Sequence, residues 1–536
     1  MVPSVDSLPT SRSDVGIVTR GTLVYFVGTL LFIGMSFVWR VILIRTLSLE
    51  GWSEFSDALA IVGSVATVGG LGLQYALARN IPRASSDAER RAIVRSGLFI
   101  GGLSCAAAPI ALYFAGPVIA SATGSGGLGL AVQLLGLAYG LSSAVVIFAA
   151  VFQGFENVWP LSLFGLILGP TLFVAALAAL YVLPGARLGL STVLWAYVGA
   201  WMVTFAAAVL YTSVRLPRVL PAGPRTHGQA VPLVLFALPL LGVAIASFLS
   251  GYADTIILGA HQLVNVGAYV ATLTLSRLLP IAVGALASIM LPVTSRLLKN
   301  HDRRNAELIY VTATKWTAVF ALPLFLVFAF LPSDSLGLVY GPGYASTTVL
   351  LSITAVGAFL STVMGPAAAV QMAVGQTRLL FANAGASLAV DVVIALLLVP
   401  GYGAVGAAVA WSAAVCVYPG LTVAELALLE GLHPFRRAYF VPLLVTGLPG
   451  ALVLYAASHV SFTFWAVIPI TVVLAAIYVL AVPLTGSVDM GDGLLLEVVE
   501  GYLGRRVELA HRFLAWGSRY GTHAEPTLPE EEGPRR

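Results

Sequence analysis

The chain has 536 residues, 59% of them hydrophobic and only 10% charged, with a mean hydropathy of +0.94. Soluble globular domains carry about 25% charged residues, so a soluble enzyme is excluded. The formal net charge of +4 in so apolar a chain reflects membrane topology and gives no footing for nucleic acid. Apolar runs of about 20 residues recur along the length, as membrane-spanning helices require, whereas a membrane β-barrel shows alternating segments of about ten. The expected class is an all-α polytopic membrane protein.

In chain order, a polar cytoplasmic tail (1–17) leads into an apolar run without a small-residue cleavage site, read as a retained helix. Fourteen transmembrane helices are expected at roughly 18–44, 54–78, 96–120, 128–153, 158–183, 191–213, 232–260, 266–294, 308–331, 347–372, 379–399, 404–429, 439–457 and 462–484. Loops after even-numbered spans carry Arg79, Arg83, Arg90, Arg91 and Arg95; Arg215, Arg218 and Arg225; Arg296, Lys299, Arg303 and Arg304; Arg378; and Arg436 and Arg437. Loops after odd-numbered spans carry only Arg45 and Arg187. Basic residues gather on the cytoplasmic side, which places both termini in the cytoplasm. Beyond the last span, 493–520 interleaves apolar residues with Arg505, Arg506, Arg512 and Arg519, the pattern of an amphipathic helix on the inner membrane surface. The final PEEEGPRR is expected to be disordered.

The two halves echo each other. Pro184-Gly185 followed by Trp195 matches Pro400-Gly401 followed by Trp411, Gly51 matches Gly267, and Gln153 matches Gln371. Six spans per repeat give a parallel repeat, which builds a transporter of two pseudo-symmetric lobes. The lobes are expected at 18–213 and 232–429, joined by a cytoplasmic linker (214–231). Spans 13 and 14 (439–484) and a cytoplasmic tail (485–536) follow. Such lobes rock about a central cavity.

Ionisable groups within spans face a cavity or a partner, because the bilayer interior penalises them. Arg277 lies about 15 Å into its span and Asp254 about 10 Å into the preceding one, so they form either an ion pair within one lobe or two depths of a transport path. Asp391 is a candidate for ion coupling or for polar packing. Lys315 either meets an incoming head group or snorkels to the interface. Arg40 and Arg45, with Glu54 and Asp57, form either an outer gate or interfacial anchors. Arg20 and Glu425 read as snorkelling residues.

Arg79, Arg83, Arg296 and Arg304 either collect anionic head groups or report topology alone. Cys105 and Cys416 fit neither a disulfide framework nor a zinc site, and the seven histidines lack metal-ligand spacing. The only two lysines, Lys299 and Lys315, follow Leu298 and Thr314, so no phosphate-binding Gly-Lys loop exists. No catalytic constellation, metal site or cofactor is expected, and transport would draw on a Na+ or H+ gradient or the membrane potential.

The stretch RVILIRTLSLEGWSEFSDALAIVGSVATVGGLGLQYALARNIPR (40–83) resembles the first two spans of polysaccharide transporters. These are lipid-linked oligosaccharide flippases of the multidrug/oligosaccharidyl-lipid/polysaccharide (MOP) exporter superfamily. SGYADTIILGAHQLVNVGAYVATLTLSRLLP (250–280) resembles their span 7 to span 8 hairpin, turning outside at AHQLVN, and 341–411 is similar to their spans 10 to 12. The resemblance implies a flippase, not an enzyme, that carries a polyprenyl-phosphate- or pyrophosphate-linked saccharide to the outer leaflet of the plasma membrane by alternating access, working as a monomer. It implies a cationic cavity, for which Arg277, Lys315 and Arg40 are the candidates, with Asp254, Asp391, Asp57 and Arg45 for gating or ion coupling. Glycan polymerases or glycosyltransferases are the implied partners. The alternatives are a multidrug or toxin extruder of the same fold, a membrane glycosyltransferase or polymerase, and a non-transporting scaffold.

Overall fold

The computed structural model describes residues 12–70, 72–155, 157–182, 189–220, 230–459, 464–503 and 506–518. The tail before residue 12, Pro184-Gly185, Arg187, Arg225, Arg505, Arg519 and the acidic C-terminus lie outside them. Among the described residues there are helices and no strand. That follows from the solvent: within hydrocarbon a backbone must satisfy its own polar groups, and a helix does so alone. Contacts divide the chain into two units, Met1–Gly267 and Ala268–Arg536.

The first unit contains α1 (Arg12–Thr46), α2 (Leu49–Gly69), α3 (Leu73–Arg83), α4 (Asp87–Thr123), α5 (Gly126–Gly154), a π-helical segment (Leu161–Leu168) running into α6 (Gly169–Val182), α7 (Leu190–Val219), α8 (Ala230–Leu249) and the first part of α9 (Ala253–Ser276). The α2–α3 break centres on Gly72, whose φ of 64° is left-handed and free of strain only for glycine. Small residues let α5 approach α4 at backbone distance: a Cβ on Gly129 would lie 2.7 Å from the Gly116 carbonyl, and one on Gly140 2.8 Å from that of Cys105. Lipid supplies little drive for helices to associate, so such close packing holds them together.

The second unit contains the rest of α9, α10 (Ile281–Lys299), α11 (Arg303–Phe330), α12 (Pro332–Tyr340), α13 (Thr348–Thr362), α14 (Ala367–Val374), α15 (Thr377–Tyr402), α16 (Ala404–Glu430), α17 (Arg437–Ala457), α18 (Val467–Leu484), α19 (Met490–Leu503) and α20 (Glu508–Gly517). Every residue from Ile309 to Lys315 is buried, because α11 is flanked by α10, α13, α17, α18 and α19.

Twelve helices among the described residues are long and apolar enough to span a membrane, so the expected fourteen is approximate. Two places depart from the expected pattern. α2 carries Glu50, Glu54 and Asp57 within 21 residues. The expected spans 232–260 and 266–294 are three helices: α8 ends in a turn at Ser250–Tyr252, α9 leaves helical geometry at Gln262 (φ −147°, ψ 71°), and a turn at Arg277–Pro280 precedes α10. The break at Gln262 falls within AHQLVN. At the last turn Pro280 lacks an N–H and restricts the residue before it, which ends α9.

The tail is two helices where a single one over 493–520 was expected. Glu500 turns the chain by accepting the Val507 N–H, and it pairs with His511 at 3.0 Å. α19 is tied to α11 by Lys315. The Lys315 ammonium is fully buried and donates to Asp492 Oδ2 and the Ser487 carbonyl, each at 2.8 Å. Trp316 Nε1 donates to the other Asp492 oxygen at 2.7 Å, and the Asp489 N–H donates to Oδ2. Burial pushes the Asp492 carboxyl up, while the neighbouring Lys315 charge draws it down.

Removing one member of a buried pair strands the other, at about 3–5 kcal/mol. Lys315→Met should therefore lower the melting temperature of the detergent-solubilised protein sharply. Lys315→Met combined with Asp492→Leu should recover most of that loss; an additive loss would remove the pairing from the account.

Candidate functional site

Six consecutive residues of α2, Trp52 to Asp57, are buried, four of them polar. A helix enclosed on every face must place each polar group against a partner. Trp52 Nε1 donates to the Gly267 carbonyl at 2.9 Å. Ser53 Oγ accepts the Gly267 N–H and donates to the Val264 carbonyl, each at 2.8 Å. These are backbone groups just past the Gln262 break, so α2 supplies bonds near where the helical ladder is interrupted. Gly267 allows this approach: a Cβ there would lie 2.6 Å from Ser53 Oγ.

Glu54 sits at the N-terminus of α5, where Ser125 donates to it while capping the Leu128 N–H. The partial positive charge of a helix N-terminus favours a carboxylate there. Asp57, 2% exposed, lies over Gly259 of α9, and Oδ1 has no hydrogen-bond partner among the described residues. A Cβ on Gly259 would fall 2.3 Å from that oxygen. Each carboxylate of this segment thus faces a helix stripped of its side chain at the contact.

Arg40 of α1 is half-buried, with its guanidinium 4.9 Å from the centre of the Trp39 ring. It lies within electrostatic reach of Tyr139 of α5 and Tyr197 of α7, and both tyrosines are within reach of Tyr252 at the α8–α9 turn. Behind it, Trp39, Phe55, Phe173 and Tyr197 form one cluster, with ring centres 4.9–6.5 Å apart. A half-buried cation beside an aromatic face, within electrostatic reach of two phenols, offers charge to a phosphate, and hydroxyls and flat apolar surface to a sugar. Sequence reasoning singled out Arg40 and missed the tyrosines, which come from three other elements. Arg45, at the end of α1, is exposed.

Asp254 is fully buried in the first turn of α9, where its carboxylate accepts the Thr255 N–H at 2.7 Å. In the second unit, Arg277 is half-buried in the turn between α9 and α10. Its neighbour Ser276 bonds Thr354 of α13 at 2.7 Å. Asp391 is fully buried on α15, in line with Ser387 and Asn383 at four-residue spacing. Ser387 donates to the Ala414 carbonyl, and Asn383 to Glu425 Oε2 and Thr422 Oγ1 of α16. Gln371, also fully buried, donates to the same Glu425 oxygen. Glu425, read from sequence as a snorkelling residue, is instead the acceptor of an internal polar cluster. The four-residue spacing of Asn383, Ser387 and Asp391 was the available signal for this line. Arg79, Arg83, Arg296 and Arg304 are exposed at helix ends, and Lys315 is enclosed by Asp492.

Gly259→Ala drives a methyl into the Asp57 carboxylate, and overpacking of this kind costs about 1–3 kcal/mol. The variant should melt earlier in detergent, and adding Asp57→Ala should restore much of the loss. An unchanged melting temperature for Gly259→Ala would rule out the contact.

The chain matches the family described as "Polysaccharide biosynthesis protein" over residues 18–298, more than half its length. No curated protein matches it by sequence. Among solved structures it is similar to the lipid II flippase MurJ in an inward closed conformation: TM-score 0.64 and 14% identity, over 86% of this chain and 97% of that one. It is also similar to a mutant of the Vibrio cholerae MATE transporter VcmN (TM-score 0.53, 16% identity, 80% and 100% covered). A multidrug resistance MATE transporter of the MOP superfamily in an inward-facing conformation matches as well (TM-score 0.53, 13% identity, 77% and 99% covered). At these identities the likeness establishes the fold, and the family match supplies the membership: the chain belongs to the polysaccharide biosynthesis protein family and has the fold shared by MurJ and the MATE transporters.

Proposed function

We propose that the protein is a flippase, moving a polyprenyl-phosphate- or pyrophosphate-linked saccharide from the cytoplasmic to the outer leaflet of the plasma membrane. The observation that carries this reading is a half-buried Arg40 over the Trp39 ring and within electrostatic reach of Tyr139 and Tyr197. A lipid-linked saccharide has three parts with three needs. Its tail remains in hydrocarbon, its phosphate requires a charge to replace lost water, and its sugar requires hydrogen bonds and a flat apolar surface. The Arg40 site offers the last two sets of groups together.

Arg277, in the turn that interrupts the helices of the second unit, is assigned to substrate binding there, since broken helices in transporters mark substrate and ion sites. Asp57, Asp254 and Asp391 are the carboxylates assigned to gating and to coupling with a Na+ or H+ gradient or the membrane potential. Arg79, Arg83, Arg296 and Arg304 face the cytoplasmic leaflet in this orientation and gather anionic head groups there. The chain acts as a transporter and hands its substrate to glycan polymerases or glycosyltransferases.

In proteoliposomes, Arg40→Gln should slow protein-dependent exposure of a labelled polyprenyl-pyrophosphate saccharide by about tenfold or more, the loss of one charge-assisted contact. Arg277→Ala should slow it similarly, and both variants should melt as the parent does. Normal transport in Arg40→Gln would remove the site, and retained efflux of a cationic dye with no saccharide exposure would favour the drug-extruder reading.

A further inference from the structure

A second site lies at the helix ends of the second unit, on the side that the arginine distribution predicts as cytoplasmic. A cavity of about 500 Å3 is walled by Ser295, Leu298 and Lys299 at the end of α10, His301 in the turn, Arg303 at the start of α11, and Ala373, Val374 and Glu430. Small-molecule sites span roughly 300–1,000 Å3, so the volume suits a head group or a compact soluble anion.

Its walls are tied in place. Arg303 Nη2 donates to the Glu430 carbonyl at 2.9 Å and to Oε2 at 2.7 Å, and Gln376 donates to Oε1 at 2.8 Å. The Glu430 carboxylate is thus engaged on both oxygens, and it joins α11, α16 and the turn before α15. The nearby carboxylates are engaged too. Asp302 accepts from Asn305 N and Nδ2, and Glu307 pairs with Arg436 at 2.7 Å.

Lys299 makes no ion pair among the described residues, and Arg296 and Arg304 are exposed on the same loop. The local balance is positive. His301 adopts φ 59°, the left-handed region that side chains disfavour and glycine takes freely. It closes the C-terminus of α10, where the Asp302 N–H reaches back to the Leu297 carbonyl at 2.9 Å, and its side chain lines the cavity beside Lys299. Leu298, Ala373 and Val374 supply an apolar wall behind the cations.

We propose that this cavity binds a phosphate ester, separately from the Arg40 site, with Lys299 and His301 on the phosphate and the apolar wall against the remainder of the ligand. Two sources share that chemistry: the head group of an anionic lipid, and a soluble sugar or nucleoside phosphate.

The test uses the full chain in neutral detergent, with inorganic pyrophosphate titrated by calorimetry and phosphatidylglycerol counted by native mass spectrometry. Saturable binding of at least one probe is expected, and Lys299→Gln should weaken it about tenfold, the scale of one charge-assisted contact, at an unchanged melting temperature. His301→Gly should split the readouts, raising the melting temperature by relieving the left-handed strain while weakening binding severalfold. Binding of phosphatidylglycerol with a weak pyrophosphate response assigns the site to a lipid; the reverse assigns it to a soluble phosphate. No saturable binding of either probe, or binding indifferent to Lys299→Gln, overturns the proposal.

Discussion

The break of α9 at Gln262 lies beside backbone polar groups that need partners, and α2 supplies them within the first unit. The chain leaves helical geometry at Gln262, and the N–H and carbonyl of Gly267 and the carbonyl of Val264 are met by Ser53 and Trp52. That requirement explains why α2 is polar where a spanning helix should be apolar. It also explains why Gly267 lacks a side chain. Glu54 and Asp57 extend the logic, each reaching into space that Gly127 or Gly259 leaves open.

The second unit meets the same problem differently. Lys315 is paired with Asp492, and Glu425 accepts hydrogen bonds from Gln371 and Asn383, all within the unit. One consequence is that the tail is part of the fold: α19 is anchored through the most enclosed ammonium in the described chain. Paired, well-bonded charges of this kind specify an arrangement more than they add stability. Arg40 differs from them. It is half-buried beside an aromatic face and within electrostatic reach of two phenols, the condition of a group that awaits a ligand.

Much of this was legible in the sequence. The apolar runs gave the all-α membrane class, and the turn expected at AHQLVN falls where the structure breaks at Gln262. The span expected at 266–294 ran through Pro280, where the structure has a turn between α9 and α10. Glu54 and Asp57 in α2 were also visible, yet they read as an outer gate or as interfacial anchors, because their glycine partners lie on other helices. The Lys315–Asp492 pair joins positions 177 residues apart, and no local pattern reports such a separation. The tyrosines around Arg40 stayed hidden for the same reason. Helical periodicity says which face a residue shares, and only the packing of several helices says which faces meet.

The central claim is movement of a phosphate-linked saccharide between leaflets. The most direct measurement reconstitutes the unmodified protein in liposomes carrying a labelled polyprenyl-pyrophosphate saccharide and follows its exposure to a membrane-impermeant probe. Protein-dependent exposure, unaccompanied by accumulation of a cationic dye, is the predicted result. Exposure no faster than in protein-free liposomes, under every ion gradient applied, would contradict the account.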